Sequence, residues 1–331
     1  MKVLILRFSS IGDIILTSPV LRCLKQQVPG VEVHFLTKEQ FRPLVENSPY
    51  VDRVHAVRGD DSAILSGLRK EKFDLVVDLH HNLRTWRVKQ ALGVPAKSFP
   101  KLNVEKWVLV NFKKDRLPKV HIVDRYLETV AHLGVKNDGQ GLDLFIPPEQ
   151  EVLLETLPEN FRKGYIALCI GAAHATKRLP QHRLIELAGK LKGPIVIIGG
   201  PEDKAVGRTI ADAVGARAFD ATGKYDVLGS ASLIRQATNV IAHDSAAMHV
   251  ASAFRKNVVS VWGNTVPQFG MGPYMPLHPE RAHISEVLAL PCRPCSKIGF
   301  DQCPKGHFHC MEQQDLGQIA AWAHRDPPED A

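Results

Sequence analysis

The chain has 331 residues, which is long for a single hydrophobic core and suits two domains. Its 44% hydrophobic and 23% charged residues are typical of a globular protein, and no apolar run reaches the roughly 18 to 20 residues of a membrane-spanning helix. The net charge of +7 is concentrated in residues 84–119, where ten basic residues stand against two acidic ones, and such a stretch suits nucleic acid, an anionic membrane or an acidic substrate.

Short apolar runs rich in β-branched residues alternate with helical patterns, and eight of these runs predict strands. The first run contains Arg7 and lacks the cleavage site of an export signal, which favours a cytoplasmic protein. Strands that alternate with helices predict βαβ units and therefore parallel, doubly wound sheets. The predicted strands are 2–8, 31–37, 51–57, 73–79, 165–171, 194–200, 239–244 and 257–263.

Three prolines within residues 146–163, followed by Gly164, separate two such α/β series and indicate a domain boundary. We therefore predict two Rossmann-like domains, residues 1–155 and 156–331, with the last helix packing back on the N-terminal domain. Ligands of open α/β sheets bind outside the carboxyl ends of the strands. Two domains facing one another would form a central cleft there, so polar residues that follow strands are the candidates for function.

The first candidate segment is RFSSIGDIILTSP at 7–19, where a small-residue turn leads from a strand into a helix beginning near Asp13. A carboxylate at this edge can accept a proton from a hydroxyl nucleophile. Asp is also a common helix cap, and the sequence leaves both interpretations open. The turn is not GxGxxG, so a dinucleotide fingerprint is absent.

Two further segments directly follow buried strands in the second half. Lys177 and Arg178 lie in the loop GAAHATKRLP, where paired cations suit a diphosphate, although solvated loop charges are also common. Glu202 lies in GGPEDK, where it can bind a ribose or sugar hydroxyl or serve as a first-turn residue favoured by the helix dipole.

The segment HDSAAMHVASAF at 243–254 carries small residues at a predicted helix start. Small residues let a phosphate approach the free backbone N–H groups of the first turn. Alternatively, Asp244 and Ser245 serve as helix caps. His249, one turn into the helix, is either a structural residue or part of an anion-binding site.

Four of the six cysteines fall within 19 residues, in CRPCSKIGFDQCPKGHFHC at 292–310. Such a cluster has the ligands of a structural zinc site. Its spacing is irregular for a zinc ribbon, and free thiols in a reducing compartment are the favoured interpretation, so no metal is predicted.

The order and spacing of these segments resemble glycosyltransferase family 9, the ADP-heptose:lipopolysaccharide heptosyltransferases, over about residues 1–315. The resemblance rests on RFSSIGDIILTSP, AHATKRLP, GGPEDK, HDSAAMHVASA and the cysteine-rich CPKGHFHCM. It implies the GT-B fold, an N-terminal domain that binds the acceptor and a C-terminal domain that binds the nucleotide sugar. It also implies inversion at the anomeric carbon without a metal or other cofactor.

The resemblance assigns roles to matching positions. It makes Asp13 the catalytic base and Lys177 the cation on the phosphates, with Arg178 a helper. The other donor-binding positions that it implies are Glu202, Asp244, Ser245, Ala246 and His249. Many relatives have Thr-Gly where Ser245-Ala246 stands here, and Trp where Leu179 stands, so the phosphate contact at Ala246 is expected to differ in detail.

We predict that Ser10, Gly12, Arg84 and Arg87 bind the acceptor, an anionic lipid-linked oligosaccharide. Aromatic residues alternate with the cations of the basic stretch, which suits peripheral contact with the cytoplasmic face of the inner membrane. A basic solvated face with ordinary core aromatics is the alternative. The aromatic residues concerned are Trp86, Phe99, Trp107 and Phe112.

The predicted function is transfer of heptose from ADP-heptose to the lipopolysaccharide inner core. A sugar-nucleotide epimerase of GT-B type, or another nucleotide-sugar transferase, would share the donor site. A nucleic-acid-binding protein would explain the charge, but no motif of that class appears, so no nucleic-acid partner is expected.

Overall fold

The computed structural model describes residues 1–59 and 62–325. The chain divides into two compact units, the first made of residues 1–102 and 120–145, the second of residues 103–119 and everything from 146 onward. The sequence-based boundary at 155/156 therefore falls ten residues later than the division at 145/146. The composition of residues 103–119 did not reveal that this segment packs with the second unit.

The first unit contains a five-stranded parallel sheet in the order β3-β2-β1-β4-β5. Strand β1 is central, with Val3 opposite Val33 on one side and Leu75 on the other. The order of the strands in the sheet reverses direction at β1, which is the doubly wound arrangement. Proteins of this arrangement bind ligands at the carboxyl ends of the strands. The strands are β1 Lys2–Leu6, β2 Glu32–Lys38, β3 Arg53–Val57, β4 Leu75–Asp78 and β5 Ala96–Ser98.

Helices cover this sheet, and local signals set their ends. Asn82 caps the fifth helix by accepting the Thr85 N–H, and Gly93 ends it in the left-handed conformation, at φ of 65°. The helices of the first unit are α1 Ile11–Ile15, α2 Ser18–Gln27, α3 Pro43–Glu46, α4 Ser62–Lys70, α5 Leu83–Leu92 and, after α6 of the second unit, α7 Ile122–Leu127.

The second unit contains a six-stranded parallel sheet in the order β11-β10-β9-β6-β7-β8. Its strands are β6 Ile166–Cys169, β7 Ile195–Ile198, β8 Ala218–Asp220, β9 Asn239–His243, β10 Asn257–Trp262 and β11 Ala282–Glu286. Its helices are α6 Asn103–Phe112, α8 Gln181–Lys190, α9 Lys204–Val214, α10 Val227–Gln236, α11 Ala246–Ala253, α12 His309–Glu312 and α13 Leu316–Trp322.

All eight predicted strands are confirmed, and three others were missed. The missed strands β5, β8 and β11 are only partly buried, and their sequences lack the apolar runs that marked the eight predicted strands.

The last helix, α13, belongs to the second unit, and its packing on the first domain stays a prediction. Leu316 and Ile319 of α13 are buried with Leu187 and Ile197 in the core of the second unit, because the apolar face of α13 lies against α8. Within the described ranges, no helix is both long and apolar enough to cross a membrane.

Candidate active site

The carboxyl end of β1 leads into a short turn and then into α1, and this turn holds Asp13. Ser10 is the N-cap of α1 and Asp13 is its third residue, so the helix starts two residues earlier than the sequence predicted. The Ser10 backbone N–H and hydroxyl donate to Asp13 Oδ2 at 3.2 and 2.7 Å. Asp13 therefore takes part in capping α1, as one interpretation of the sequence predicted. The same hydrogen bonds hold one oxygen of its carboxylate in place.

The other oxygen of Asp13 meets a buried cation that sequence reasoning did not assign to the site. Arg7 Nη2 lies 2.7 Å from Asp13 Oδ1. The same guanidinium donates to the carbonyl oxygens of Leu79 and Ser9 and to the Tyr126 hydroxyl. The Asp13 side chain is 20% exposed and that of Arg7 only 9%, so the pair presents its carboxylate to ligands. An arginine just after an apolar strand was the only available signal.

A second missed residue of this edge is His80, two residues beyond β4. Burial, with the charge of Arg7 adding to it, lowers the pKa of His80 to about 4, so its ring is neutral at neutral pH. Within residues 1–59 and 62–325, no hydrogen-bond partner reaches its buried Nδ1. The two histidines at 80–81, directly after a predicted strand, were the sequence signal that could have identified it.

The four predicted acceptor residues all belong to this unit but differ in what they offer. Ser10 is exposed, whereas Gly12 is buried within α1 and offers only backbone. The Arg84 guanidinium lies 4.5 Å from the centre of the Phe8 ring, at the end of β1. Arg87 is exposed on α5. Their role in acceptor binding stays a prediction.

At the carboxyl edge of the second sheet, three strand ends bring Lys177, Asp244 and Thr265 together. Lys177 lies in a short 3-10 turn after β6, and its Nζ is 2.7 Å from Asp244 Oδ2, just beyond β9. The hydroxyl of Thr265, which follows β10, donates to the same oxygen at 2.7 Å. Asp244 thus positions the lysine, and Thr265 helps to hold Asp244; the sequence did not single out Thr265.

Helix α11 begins beside this cluster. Ser245 is its N-cap, Ala246 its first residue, and His249 is buried one turn further on. The Ser245 hydroxyl is buried and makes no hydrogen bond among the residues that the structure describes. A helix start carries a partial positive charge and free N–H groups, and an unsatisfied hydroxyl adds a donor, so an oxyanion is the ligand expected here.

Arg178 and Glu202 are placed differently from Lys177. The Arg178 guanidinium donates to the carbonyl of Ala172 and to Asp203 Oδ1 at 2.8 Å, which ties the loop after β6 to the loop after β7. Glu202 is exposed, and its carboxylate lies against Gly200, where a Cβ would overlap it. The contacts of Arg178 support a structural role beside the predicted role in donor binding.

His243 fixes the loop that carries Lys177. Its Nε2 accepts the Leu179 backbone N–H at 3.0 Å, so the proton of the neutral ring is on Nδ1. Complete burial lowers the pKa of His243 to about 4. The sequence predicts the strand that ends here but no role for His243, because the partner of this histidine lies 64 positions away.

The described residues contain one set of three metal-type ligand atoms lying within 4.8 Å of one another, in His34, His55 and Glu71. Glu71 is already paired with Lys2 and Arg53, and the set belongs to β2, β3 and the end of α4 rather than to either strand-end cluster. We interpret these three residues as a hydrogen-bonded network of the first sheet rather than as a metal site.

The four cysteines of the segment 292–310 form no disulfide in the part of the chain that the structure describes. Cys292 Sγ lies 3.9 Å from His307 Nε2, and Cys295 donates to the Cys292 carbonyl oxygen. Burial raises the pKa of Cys295 to about 11 and that of Cys310 to about 12. The absence of a metal there stays a prediction.

A recess of about 550 Å³ lies at the opposite, amino-terminal edge of the second sheet. Lys163, Lys192 and Lys256 line it together with the starts of β6 and β9. Ligands of open α/β sheets bind at the carboxyl edge, so the cluster around Lys177 is the better candidate for the active site.

Two parallel sheets with this strand order define an α/β protein of two doubly wound units, with charged side chains at the carboxyl edge of each sheet. The model of glycosyltransferase family 9 (heptosyltransferase) matches residues 62–303, well over half of the chain. The chain belongs to this family and is a glycosyltransferase with the GT-B fold.

Known relatives agree with this assignment. Lipooligosaccharide heptosyltransferase 2 of Haemophilus influenzae is 25% identical over 304 residues, covering 81% of this chain and 85% of the relative. The crystal structure of a glycosyl transferase family 9 protein from Veillonella parvula matches with a TM-score of 0.67 and 25% identity, covering 86% of this chain and 84% of that one. The ADP-heptose lipopolysaccharide heptosyltransferase II of Escherichia coli matches in fold with a TM-score of 0.71 and 20% identity, covering 98% of each chain.

Proposed function

We propose that this enzyme transfers a heptose from ADP-heptose to the inner core of lipopolysaccharide, with inversion at the anomeric carbon. The family and the names of its relatives support the class of donor and acceptor. The observation that carries the proposal is the cluster at the second sheet, where Lys177, held by Asp244, lies beside the start of α11 and its unsatisfied Ser245 hydroxyl.

The donor diphosphate binds at this cluster. Lys177 supplies a positive charge, the first turn of α11 supplies backbone N–H groups, and Ser245 supplies a hydroxyl. These donors matter most when the bond between the sugar and the β-phosphate breaks, because the leaving ADP gains charge at that moment. Glu202 binds a hydroxyl of the ribose or sugar, and Arg178 supports the loop that carries Lys177.

The acceptor reacts at the carboxyl edge of the first sheet. Asp13 takes the proton of the acceptor hydroxyl while that oxygen forms a bond to the anomeric carbon. Arg7 and Ser10 hold the carboxylate in one orientation. Arg84 and Arg87 bind anionic groups of the acceptor. The chemistry requires no added cofactor, since Asp13 and Lys177 supply the base and the electrophilic charge.

The enzyme would act at the cytoplasmic face of the inner membrane, where it would reach a lipid-linked acceptor by peripheral contact. The basic stretch 84–119 supports this location through its charge.

Incubating the purified protein with ADP-heptose, with and without a lipid A–Kdo or heptosylated acceptor, tests the proposal. We expect ADP release and a heptosylated product only with acceptor present. A sugar-nucleotide epimerase would convert the donor in the absence of acceptor, and that result would replace the proposal. A matched assay with UDP-glucose distinguishes heptose transfer from a different donor specificity.

A further inference from the structure

Helix α6 has apolar residues on both of its faces. On one face, Leu109 is buried with Val266 and Phe269 in a small core of the second unit. The solvent-exposed surface of the helix is also apolar, since Val104 is 70% exposed, Trp107 56% and Phe112 60%. A surface helix normally carries polar residues opposite its buried face, so the second apolar face of α6 needs another explanation.

The second unit holds this helix at both ends. Lys113 Nζ donates to the carbonyl oxygens of Cys292 and Pro294 at 3.1 and 2.6 Å, and Lys297 Nζ lies 3.4 Å from Asn103 Oδ1. The Trp107 and Phe112 rings meet edge to face with centres 5.3 Å apart. The exposed aromatic pair is therefore presented by an ordered helix that is fixed to the body of its unit.

Basic residues lie near both ends of α6. Residues 103–119 contain five basic and two acidic side chains. Lys114, Arg116 and Lys119 are exposed just beyond the helix. At the other end, Lys297 is followed by Ile298, an isoleucine that is 56% exposed. Exposed Trp and Phe next to several cations is the composition of a surface that lies in the headgroup region of an anionic bilayer.

We propose that the exposed face of α6, with the cations that follow it, docks the enzyme on an anionic phospholipid bilayer. Trp107, Phe112 and Val104 enter the boundary between headgroups and acyl chains, and Lys114, Arg116 and Lys119 bind lipid phosphates. The proposal deepens the proposed function, because a lipid-linked acceptor is presented at a membrane. It requires neither the sugar donor nor the acceptor, so it is tested without them.

The experiment is co-sedimentation with vesicles that contain no lipopolysaccharide, either phosphatidylcholine alone or phosphatidylcholine mixed with phosphatidylglycerol. We expect binding to the anionic vesicles only. Binding should weaken about tenfold in Trp107→Ser and in Phe112→Ser, as expected for losing one large buried side chain. It should weaken about 100-fold when Lys114, Arg116 and Lys119 are all changed to Gln.

Leu153→Ser is the matched control, since Leu153 is also in the second unit and is 61% exposed; it should bind vesicles like the wild type. Trp107→Phe should keep vesicle binding but lose quenching of tryptophan fluorescence by brominated lipid, whereas Trp86→Phe should keep that quenching.

Equal binding to neutral and anionic vesicles, wild-type affinity in Trp107→Ser, or quenching retained in Trp107→Phe would each overturn the proposal. A dimer that dissociates in Phe112→Ser would also overturn it, by showing that a second copy of the chain covers this face. Transfer to a delipidated acceptor should be unchanged in the α6 variants. A protein that binds vesicles but transfers no heptose would contradict the proposed function and leave the docking surface intact.

Discussion

The carboxyl edges of the two sheets carry ion pairs that are built alike and present opposite charges. In the first unit, Arg7 is the more buried partner and the Asp13 carboxylate the more exposed one. In the second, Asp244 is 11% exposed and Lys177 16%, so the cation is the more accessible member. In both pairs a hydroxyl reinforces the carboxylate, from Ser10 in the first and Thr265 in the second.

This difference shows how one fold serves two chemical tasks. A parallel sheet delivers the residues that follow its strands to one edge whatever their charge, so the sequence at the strand ends decides what is presented. A partly exposed carboxylate suits proton removal from a hydroxyl, and a partly exposed ammonium suits a phosphate leaving group. The buried partner orients the presented group in each case. Breaking each pair from either side tests this comparison.

Removing the charge of Asp13 should have the largest effect. Asp13→Asn keeps the shape and an oxygen that can accept from Ser10, but it cannot take up the acceptor proton. We expect kcat to fall by about 10²- to 10⁴-fold, with ADP affinity unchanged because the donor cluster lies on the other sheet. Steady-state kinetics and calorimetry measure these two quantities. A variant with near-normal kcat would leave Asp13 with the capping role alone.

Removing the charge of Lys177 should come next. Lys177→Ala should raise the barrier in kcat/KM by about 2–4 kcal/mol, the range for losing one donor to a developing oxyanion. ADP affinity should fall less, because the N–H groups of α11 remain. In Lys177→Ala, the Asp244 carboxylate is left without its cation and repels the phosphates of ADP. The Lys177→Ala/Asp244→Asn double variant removes this negative charge and should therefore recover part of the ADP affinity.

Arg178→Ala is the matched control for Lys177→Ala. The contacts of Arg178 with Ala172 and Asp203 predict a smaller loss in kcat/KM than Lys177→Ala causes, together with a loss of thermal stability. Unchanged rate and unchanged ADP affinity in Lys177→Ala would place the phosphates elsewhere.

The sequence predicted those features of the fold and of the candidate site that depend on local sequence patterns. The eight predicted strands were visible as apolar runs, and the rule that ligands bind at the carboxyl edge then predicted roles for Asp13, Lys177 and the start of α11. The segments around these residues also carried the resemblance to the family, which the family model confirms.

The partners of these residues could not be predicted in the same way. Arg7, His243 and Thr265 act through contacts that form only after strands from different parts of the chain align in a sheet. Arg178 shows the same limit, since its position after a strand predicted phosphate binding but did not reveal that its guanidinium bridges two loops. Position in sequence predicts the edge at which a residue lies, but not the partner that it meets there.

Acid should weaken the second unit through His243. Its pKa is about 4 when buried and 6.5 in an unfolded chain, so the unfolded state binds more protons between these values. The stabilisation is therefore complete above pH 6.5 and is lost as pH falls toward 4, by an amount on the order of 3 kcal/mol. His243→Gln keeps an acceptor for the Leu179 N–H but has no titrating group. Its stability deficit in urea unfolding should thus shrink with falling pH.

Exposed His132 provides the control, because His132→Gln should follow the wild-type pH dependence. If the deficit of His243→Gln were the same at both ends of the pH range, burial of a neutral His243 ring could not be the cause.

The smallest expected effect tests the buried partner of Asp13. Arg7 favours the ionised carboxylate, so Arg7→Gln should make protonation of Asp13 easier and move the acid limb of the kcat/KM profile to higher pH. At pH values above that limb, the rate should change less than in Asp13→Asn, since the base itself remains.

Arg7→Lys keeps the charge and should leave the limb near its wild-type position. Tyr126→Phe removes one contact of Arg7 but no charge, so it too should leave the limb in place. If Arg7→Gln lowered the rate equally at every pH, Arg7 would serve the fold alone. The comparison between the two sheets would then fail, because Arg7 would not adjust the protonation of Asp13 as the more buried partner of an ion pair.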